Sequence, residues 1–201
     1  MGRDATTRRA MRCMRAVKTC GWTLAVVFSA SIAAGQAHST QTAIVVNNPH
    51  YVSLMLEITI NRPAAEVWKR VGKFCDVAES FQLPCKIISG KDGEVGAVRF
   101  LGSAIGNEIL VGKTDLSYTY AQPLKAGQPY DLYHGTVEAK PLTGTTSKLV
   151  YTLLYDNSML ANEAARQKDR AERTALFTRG LNNMKSIAET GALPRTAAPP
   201  Q

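Results

Sequence analysis

The sequence predicts an α+β domain in which a curved antiparallel sheet of about seven strands wraps around one long C-terminal helix. Two observations lead to this fold class. Residues 84–156 form short apolar segments separated by turn residues, which is typical of an antiparallel meander. Residues 160–190 instead repeat apolar side chains at helical spacing, at Phe177, Gly180, Leu181, Met184, Ile187 and Ala188. The basic residues of this helix, Arg173 among them, fall mostly on other faces, so the apolar stripe needs a surface to lie on.

The first elements follow from the same patterns. Tyr51–Ile60 alternates apolar and polar residues, which predicts the first strand. Pro63 can open a helix without losing a needed hydrogen-bond donor, and apolar residues at helical spacing continue from there to Phe74. A second short helix is expected over residues 76–81, because the residue before Pro84 avoids the helical region.

The remaining strands are short and separated by turn signals. They are expected over residues 86–89, 95–101, 108–113, 116–121, 132–139 and 148–155. A strand, two short helices, six strands and a long helix follow one another in the order of a helix-grip fold. The sequence therefore predicts a sheet that encloses its C-terminal helix.

The first 37 residues differ in kind from the rest of the chain. A basic head precedes an uncharged and mostly apolar run at residues 21–34, and the small residues Gly35 and Ala37 follow it. This order is typical of a secretory signal peptide, with cleavage expected near Ala37. A membrane anchor is the alternative, but about 14 residues are short against the ~20 of a spanning helix. We therefore expect a periplasmic or secreted protein without a stable membrane anchor.

Removal of this segment changes the charge of the protein. The whole chain carries +8, whereas residues 38–201 hold 18 Lys and Arg against 15 Asp and Glu, or +3. The basic residues that cluster on the C-terminal helix are interleaved with acidic ones, so no nucleic-acid partner is expected. Residues 38–50 are expected to form a flexible N-terminal segment, 51–190 the domain and 191–201 a disordered tail. We expect the mature protein to be a monomer.

Two cysteines remain after removal of the signal. Cys75 and Cys85 form an even pair that would be exposed to an oxidising compartment, which favours a disulfide. Closing this loop would stabilise the fold by about 3 kcal/mol on the chain-entropy model. Two free buried thiols are the alternative. No histidine lies near either cysteine, so no metal is expected, and the sequence indicates no other cofactor.

Several segments resemble a known family in order and spacing. Residues 57–74 (EITINRPAAEVWKRVGKF) look like the opening of the polyketide cyclase/dehydrase branch of the START-like (SRPBCC) superfamily. Later landmarks of that family match at Gly93–Arg99, Glu108, Asp115, residues 116–118, Tyr133 and Gly144–Tyr151. The resemblance covers about residues 51–190, with one departure: the frequent Trp-x-Pro after the first helix is here Phe81-Gln-Leu-Pro84. It implies a cavity for a small hydrophobic or amphipathic ligand.

The resemblance also suggests which side chains face such a cavity. Alternation places Tyr151 and Tyr155 on one face of the last strand, and the apolar residues beside them favour the inner face. The further candidates for ligand contact are Tyr118, Tyr133, Phe177 and Leu181. Tyrosines provide apolar walls with hydrogen-bonding tips, although an ordinary core would use them equally well.

One charged pair is a further candidate for ligand contact. Arg99 and Glu108 lie on opposite arms of the hairpin around residues 102–106, where cross-strand partners fall. The residues alone do not decide which face of the sheet the pair occupies. On the solvent face it would contribute little to stability, and on the inner face it would orient a polar group of the ligand. The resemblance favours the inner face. If Tyr133 points inwards, His134 points outwards.

No catalytic residue is assigned, because signatures of a serine nucleophile, a phosphate loop, a dinucleotide site and a zinc site are all absent from the sequence. These observations favour an exported carrier or sensor that performs no covalent chemistry. One alternative is an enzyme of the cyclase, dehydratase or aromatase type, in which Arg99, Glu108 and tyrosine hydroxyls polarise carbonyls. Another is a protein-interaction role for the basic helix face, which predicts a core filled by side chains.

Overall fold

A computed structural model describes residues 48–123 and 132–194 of the chain. The signal peptide expected over residues 1–37 lies outside these ranges, as does most of the expected flexible segment and tail. The strands are β1 (Tyr51–Ile60), β2 (Lys86–Ser89), β3 (Val98–Phe100), β4 (Asn107–Thr114), β5 (Ser117–Ala121), β6 (Tyr133–Pro141) and β7 (Ser147–Asp156). The helices are α1 (Ala64–Val71), α2 (Val77–Phe81) and α3 (Glu163–Thr190).

The strands form one antiparallel sheet in the order β1-β7-β6-β5-β4-β3-β2. The first and last strands of the chain are therefore neighbours, and they pair along their whole length, from Tyr51 opposite Asp156 to Ile60 opposite Ser147. Helix α3 packs against β1, β7, α1 and α2. This is the predicted α+β helix-grip architecture.

The core lies between the inner face of the sheet and α3. Strand β7 contributes Leu149, Tyr151, Leu153 and Tyr155, each at most 2% exposed. The helix contributes its predicted stripe, in which Phe177, Gly180, Leu181, Met184 and Ile187 are all buried. Burial of these side chains supplies the main stabilisation, since each fully buried large apolar residue is worth roughly 1.5–3 kcal/mol.

Three predicted boundaries differ from the structure by three residues, each for a local reason, and the others differ by at most two. Helix α1 ends at Val71 rather than continuing to Phe74, because Gly72 caps it. Strand β3 begins at Val98 rather than at residue 95, because the backbone turns at Gly96, which has a positive φ of 93°. Helix α3 begins at Glu163 rather than at residue 160, because the side chain of Asn162 caps it by accepting from the amide of Ala165 at 2.9 Å.

The expected disulfide is present between Cys75 and Cys85, whose Cα atoms are 5.7 Å apart. It joins the segment that leads into α2 to the segment that leads into β2. Helix α2 has five residues, and Gln82, the residue that caps its C-terminus, adopts a left-handed conformation. Within the described ranges, no helix is long and apolar enough to cross a membrane.

Candidate ligand-binding site

A cavity of about 370 Å³ lies between α2, the β3–β4 hairpin, α3 and the inner face of the sheet. Its walls divide by chemistry. The apolar side consists of Val77, Phe81, Leu83, Leu101, Ala104, Ile105, Leu176 and Phe177. The polar side consists of Arg99, Glu108, Tyr120, Gln122, Tyr133, Tyr151 and Arg173. An apolar container with a few convergent polar groups is the usual form of a small-molecule site.

Arg99 and Glu108 form a buried charged pair in the wall of the site. They are direct cross-strand partners on β3 and β4, as the sequence predicts, and are 0% and 3% exposed. Arg99 donates to Glu108 Oε2 from Nε at 2.8 Å and from Nη2 at 2.5 Å, and Nη1 donates to the carbonyl of Phe74. Burial opposes the charge of Arg99, but its electrostatic interactions with Tyr118 and Glu108 outweigh burial and raise its pKa.

The second carboxylate oxygen of Glu108 has a different environment. Its Oε1 accepts from Nε2 of Gln122 at 3.1 Å, and both residues line the cavity. Because Arg99 binds only Oε2, Oε1 is the carboxylate oxygen that can accept a hydrogen bond from a ligand. Gln122 has the matching ability to donate or accept through its amide. Together they can hold a polar group that both donates and accepts.

Three tyrosines extend the polar side. The hydroxyls of Tyr120 and Tyr151 are 2.8 Å apart, and the hydroxyl of Tyr133 accepts from Arg173 Nη1 at 3.1 Å. Burial raises the pKa of all three, so they remain neutral hydroxyls at physiological pH. The ring of Tyr120 lies against β6 at Gly135, where any Cβ would overlap it. A glycine on the neighbouring strand thus makes room for this cavity tyrosine.

Arg173 is the polar residue that α3 contributes. Its Nε lies 3.1 Å from Asp169 Oδ1, and its guanidinium lies over the rings of Tyr133 and Tyr155, at 5.1 and 4.7 Å from their centroids. Burial lowers its pKa to about 10, which still leaves it charged at neutral pH. The sequence pattern predicts that Arg173, like most basic residues of α3, lies on a face away from the apolar stripe. The structure corrects this, since Arg173 precedes Phe177 by one helical turn and shares its face.

The structure brings together five of the eight predicted ligand-contact residues: Arg99, Glu108, Tyr133, Tyr151 and Phe177 all line the cavity. The other three, Tyr118, Tyr155 and Leu181, are buried in the adjoining core and are not part of the cavity wall. His134 lies on the opposite side of β6 from Tyr133, as expected, and is half-buried.

Several residues of the cavity wall were not predicted from the sequence. Tyr120 could have been predicted as a cavity residue, because it lies two residues after Tyr118 and therefore shares the same face of β5. Gln122 follows the end of β5, so the alternation along the strand does not predict the direction of its side chain. The apolar residues of α2 and of the β3–β4 hairpin belong to elements too short to show a period.

No protein-family model matches the sequence, and no curated protein matches it. Solved structures do match. The solution structure of a protein from Thermobifida fusca is 22% identical, covers 68% of this chain and 92% of its own, and has a TM-score of 0.58. The Zhui aromatase/cyclase from Streptomyces sp. R1128 is 19% identical, with coverages of 69% and 94% and a TM-score of 0.52. Truncated norcoclaurine synthase from Thalictrum flavum is 12% identical, with coverages of 72% and 96% and a TM-score of 0.55.

Likeness at these identities shows the fold. The chain has the helix-grip fold that its sequence predicts, and a cavity lies between the sheet and the helix.

Proposed function

We propose that the protein is an exported carrier or sensor that binds one small amphipathic molecule in this cavity without covalent chemistry. The observation that carries the proposal is the division of the cavity wall into an apolar side and a hydrogen-bonding side. A volume of about 370 Å³ falls within the roughly 300–1,000 Å³ of small-molecule sites. The apolar side supplies binding energy by excluding water, and the polar side orients the ligand.

The polar residues have separate roles in this proposal. Glu108 Oε1, Gln122 and the tyrosine hydroxyls hydrogen-bond the ligand's head group. The charge of Arg99 is paired with Glu108, and three of its five N–H donors serve Glu108 and the carbonyl of Phe74. Arg99 fixes the position of Glu108, and Arg173 gives the α3 side of the cavity a positive charge.

Two features support export. The first 37 residues have the order of a cleavable signal peptide, and the disulfide between Cys75 and Cys85 is of a kind that persists in oxidising compartments. We propose a periplasmic or secreted monomer without a stable membrane anchor.

Native mass spectrometry of the mature protein, purified from its own compartment, tests the proposal. We expect a co-purifying small molecule, or saturable one-to-one binding when amphipathic probes are added. Ile105→Trp should lower the bound fraction, because Ile105 is half-buried and lines the cavity, so a larger side chain there would take up part of its volume. Ala175→Trp is the control, because Ala175 is exposed on α3 and does not line the cavity. Absence of any bound mass, with or without added probes, would contradict the proposal.

A cyclase-, dehydratase- or aromatase-type enzyme is the second candidate. The paired hydroxyls of Tyr120 and Tyr151 and the likeness to the Zhui aromatase/cyclase favour it. Positioned proton donors contribute about 10²–10⁴-fold in rate, so even this sparse set would matter. Fold alone does not decide, because one fold serves many functions. The variants Tyr120→Phe and Tyr151→Phe, which each remove one of the paired hydroxyls, separate the two candidates: a carrier keeps most of its affinity, whereas an enzyme loses turnover of a polyketide-like carbonyl substrate.

A further inference from the structure

A second cavity of about 250 Å³ lies on the far side of the Phe81 ring from the first. Phe81 and Leu176 line both cavities, whereas Leu193 and Pro194 line only the second. The aromatic ring is therefore a partition between two voids. Without it, the main cavity would open into the space between α2 and α3, whose wall is apolar at Leu176, Leu193 and Pro194 and polar at Ser80, Gln82, Arg179 and Asn183.

The partition depends on one glycine. A Cβ on Gly180 would overlap the Phe81 ring, so the ring can lie against α3 only because this position has no side chain. The ring centroid is 5.4 Å from that of Phe177 and 6.2 Å from that of Tyr151. Aromatic contacts of this kind hold the ring by packing, without a hydrogen bond.

The polarity of the main cavity orients a ligand towards this partition. Glu108 and Gln122 lie on the hydrogen-bonding side, whereas the other residues of the α2 segment that line the cavity, Val77 and Leu83, are apolar. An amphipathic molecule that gives its head group to Glu108 and Gln122 therefore directs its apolar end towards Phe81. The chain can lengthen only until it meets the ring.

We propose that Phe81 limits the length of the apolar chain that the protein accepts, and that the ligand is a straight-chain amphipath with a neutral hydrogen-bonding head. This inference rests on the proposed function. A neutral head is favoured because it can donate to Glu108 Oε1, whereas a carboxylate placed there would be repelled. Gly180 is the positioning residue that keeps the ring in place.

Titration calorimetry with primary straight-chain alcohols of increasing length tests the inference. The affinity of the wild-type protein should rise with chain length and then level off. In Phe81→Ala the plateau should move to longer chains, with a gain of about tenfold for every two further methylenes that become buried. Leu193→Ala is the matched control: it enlarges the second cavity, keeps the partition and should leave the plateau unchanged.

Gly180→Ala should act in the opposite direction. The new methyl group pushes the ring towards the main cavity, so the plateau should fall to shorter chains. Phe81→Leu, a milder change, should give an intermediate plateau if the alanine variant fails to fold, and thermal unfolding of each variant verifies folding. Binding with the same plateau in wild type and in a folded Phe81 variant overturns the inference alone. No binding of alcohols or other apolar probes by the wild type overturns the proposed function, and the inference with it.

Discussion

Two arginine–carboxylate pairs flank the cavity, and their environments act on the arginine charge in opposite directions. Arg99 and Glu108 join neighbouring strands, and their side chains are 1% and 4% exposed. Arg173 and Asp169 lie one turn apart on α3, with side chains 14% and 15% exposed. Electrostatic interactions raise the pKa of Arg99 despite its burial, whereas burial lowers the pKa of Arg173 to about 10.

This difference suggests separate roles for the two arginines: the charge of Arg99 stabilises the fold, and the charge of Arg173 acts on the ligand. The sheet pair is an internal part of the fold, and removing one partner leaves the other charge buried without compensation. The helix pair lies nearer to solvent, so removing one of its partners should cost less stability than breaking the sheet pair. The site favours a neutral head group beside Glu108, and the positive charge of Arg173 reduces the repulsion that an anionic head group would meet there. We therefore expect Arg99 to control folding and Arg173 to control ligand choice.

The largest expected effect comes from breaking the sheet pair. Arg99→Met keeps most of the aliphatic length but leaves the Glu108 carboxylate buried without its cation. We expect the free energy of unfolding to fall by about 3–5 kcal/mol, measured by urea unfolding at neutral pH.

The double variant Arg99→Met/Glu108→Gln is the control for this prediction. It removes both charges and should recover most of the loss, because replacing a buried pair by neutral groups is often close to neutral in stability. A single variant as stable as the wild type would show that Arg99 is not structural. A double variant no better than the single one would assign the loss to packing rather than to charge.

The next effect concerns the segment that anchors Arg99. The carbonyl of Phe74, which accepts from Arg99, immediately precedes Cys75, and the disulfide closes the segment that carries the α2 wall of the cavity. Replacing both Cys75 and Cys85 by serine should cost about 3 kcal/mol on the chain-entropy model. Thermal unfolding with and without a reductant measures this. The wild type should lose stability in the reductant and the variant should not; an equal loss in both would point to an effect unrelated to the bridge.

The two pairs also differ in how well the sequence predicts them. Alternation along β1 and β7 and the stripe on α3 determine burial directly, so fold, register and core follow from the residues. The pairing of Arg99 with Glu108 is also predictable, because the turn between β3 and β4 determines which residues of the two strands lie opposite each other. Gln122 lies beyond the end of β5, and Arg173 is one of several basic residues on α3. Only the way α3 packs over the sheet determines that Arg173 lines the cavity, and the sequence pattern does not contain that information.

Arg173→Met should have the smallest effect on stability. It is also the most direct test of the difference between the Arg99–Glu108 pair and the Arg173–Asp169 pair. The pair is less buried than the sheet pair but is not exposed, so the free energy of unfolding should fall by about 1–2 kcal/mol, between the values of an exposed and a fully buried pair. Affinity for a straight-chain carboxylate should fall about fivefold, or roughly 1 kcal/mol, relative to the alcohol of the same length. Arg166→Met is the matched control, because Arg166 pairs with Glu163 on the same helix and does not line the cavity. An equal loss for acid and alcohol would mean that Arg173 acts through shape. A large loss of stability would mean that both pairs belong to the core, and the proposed division between structural and binding charge would fail.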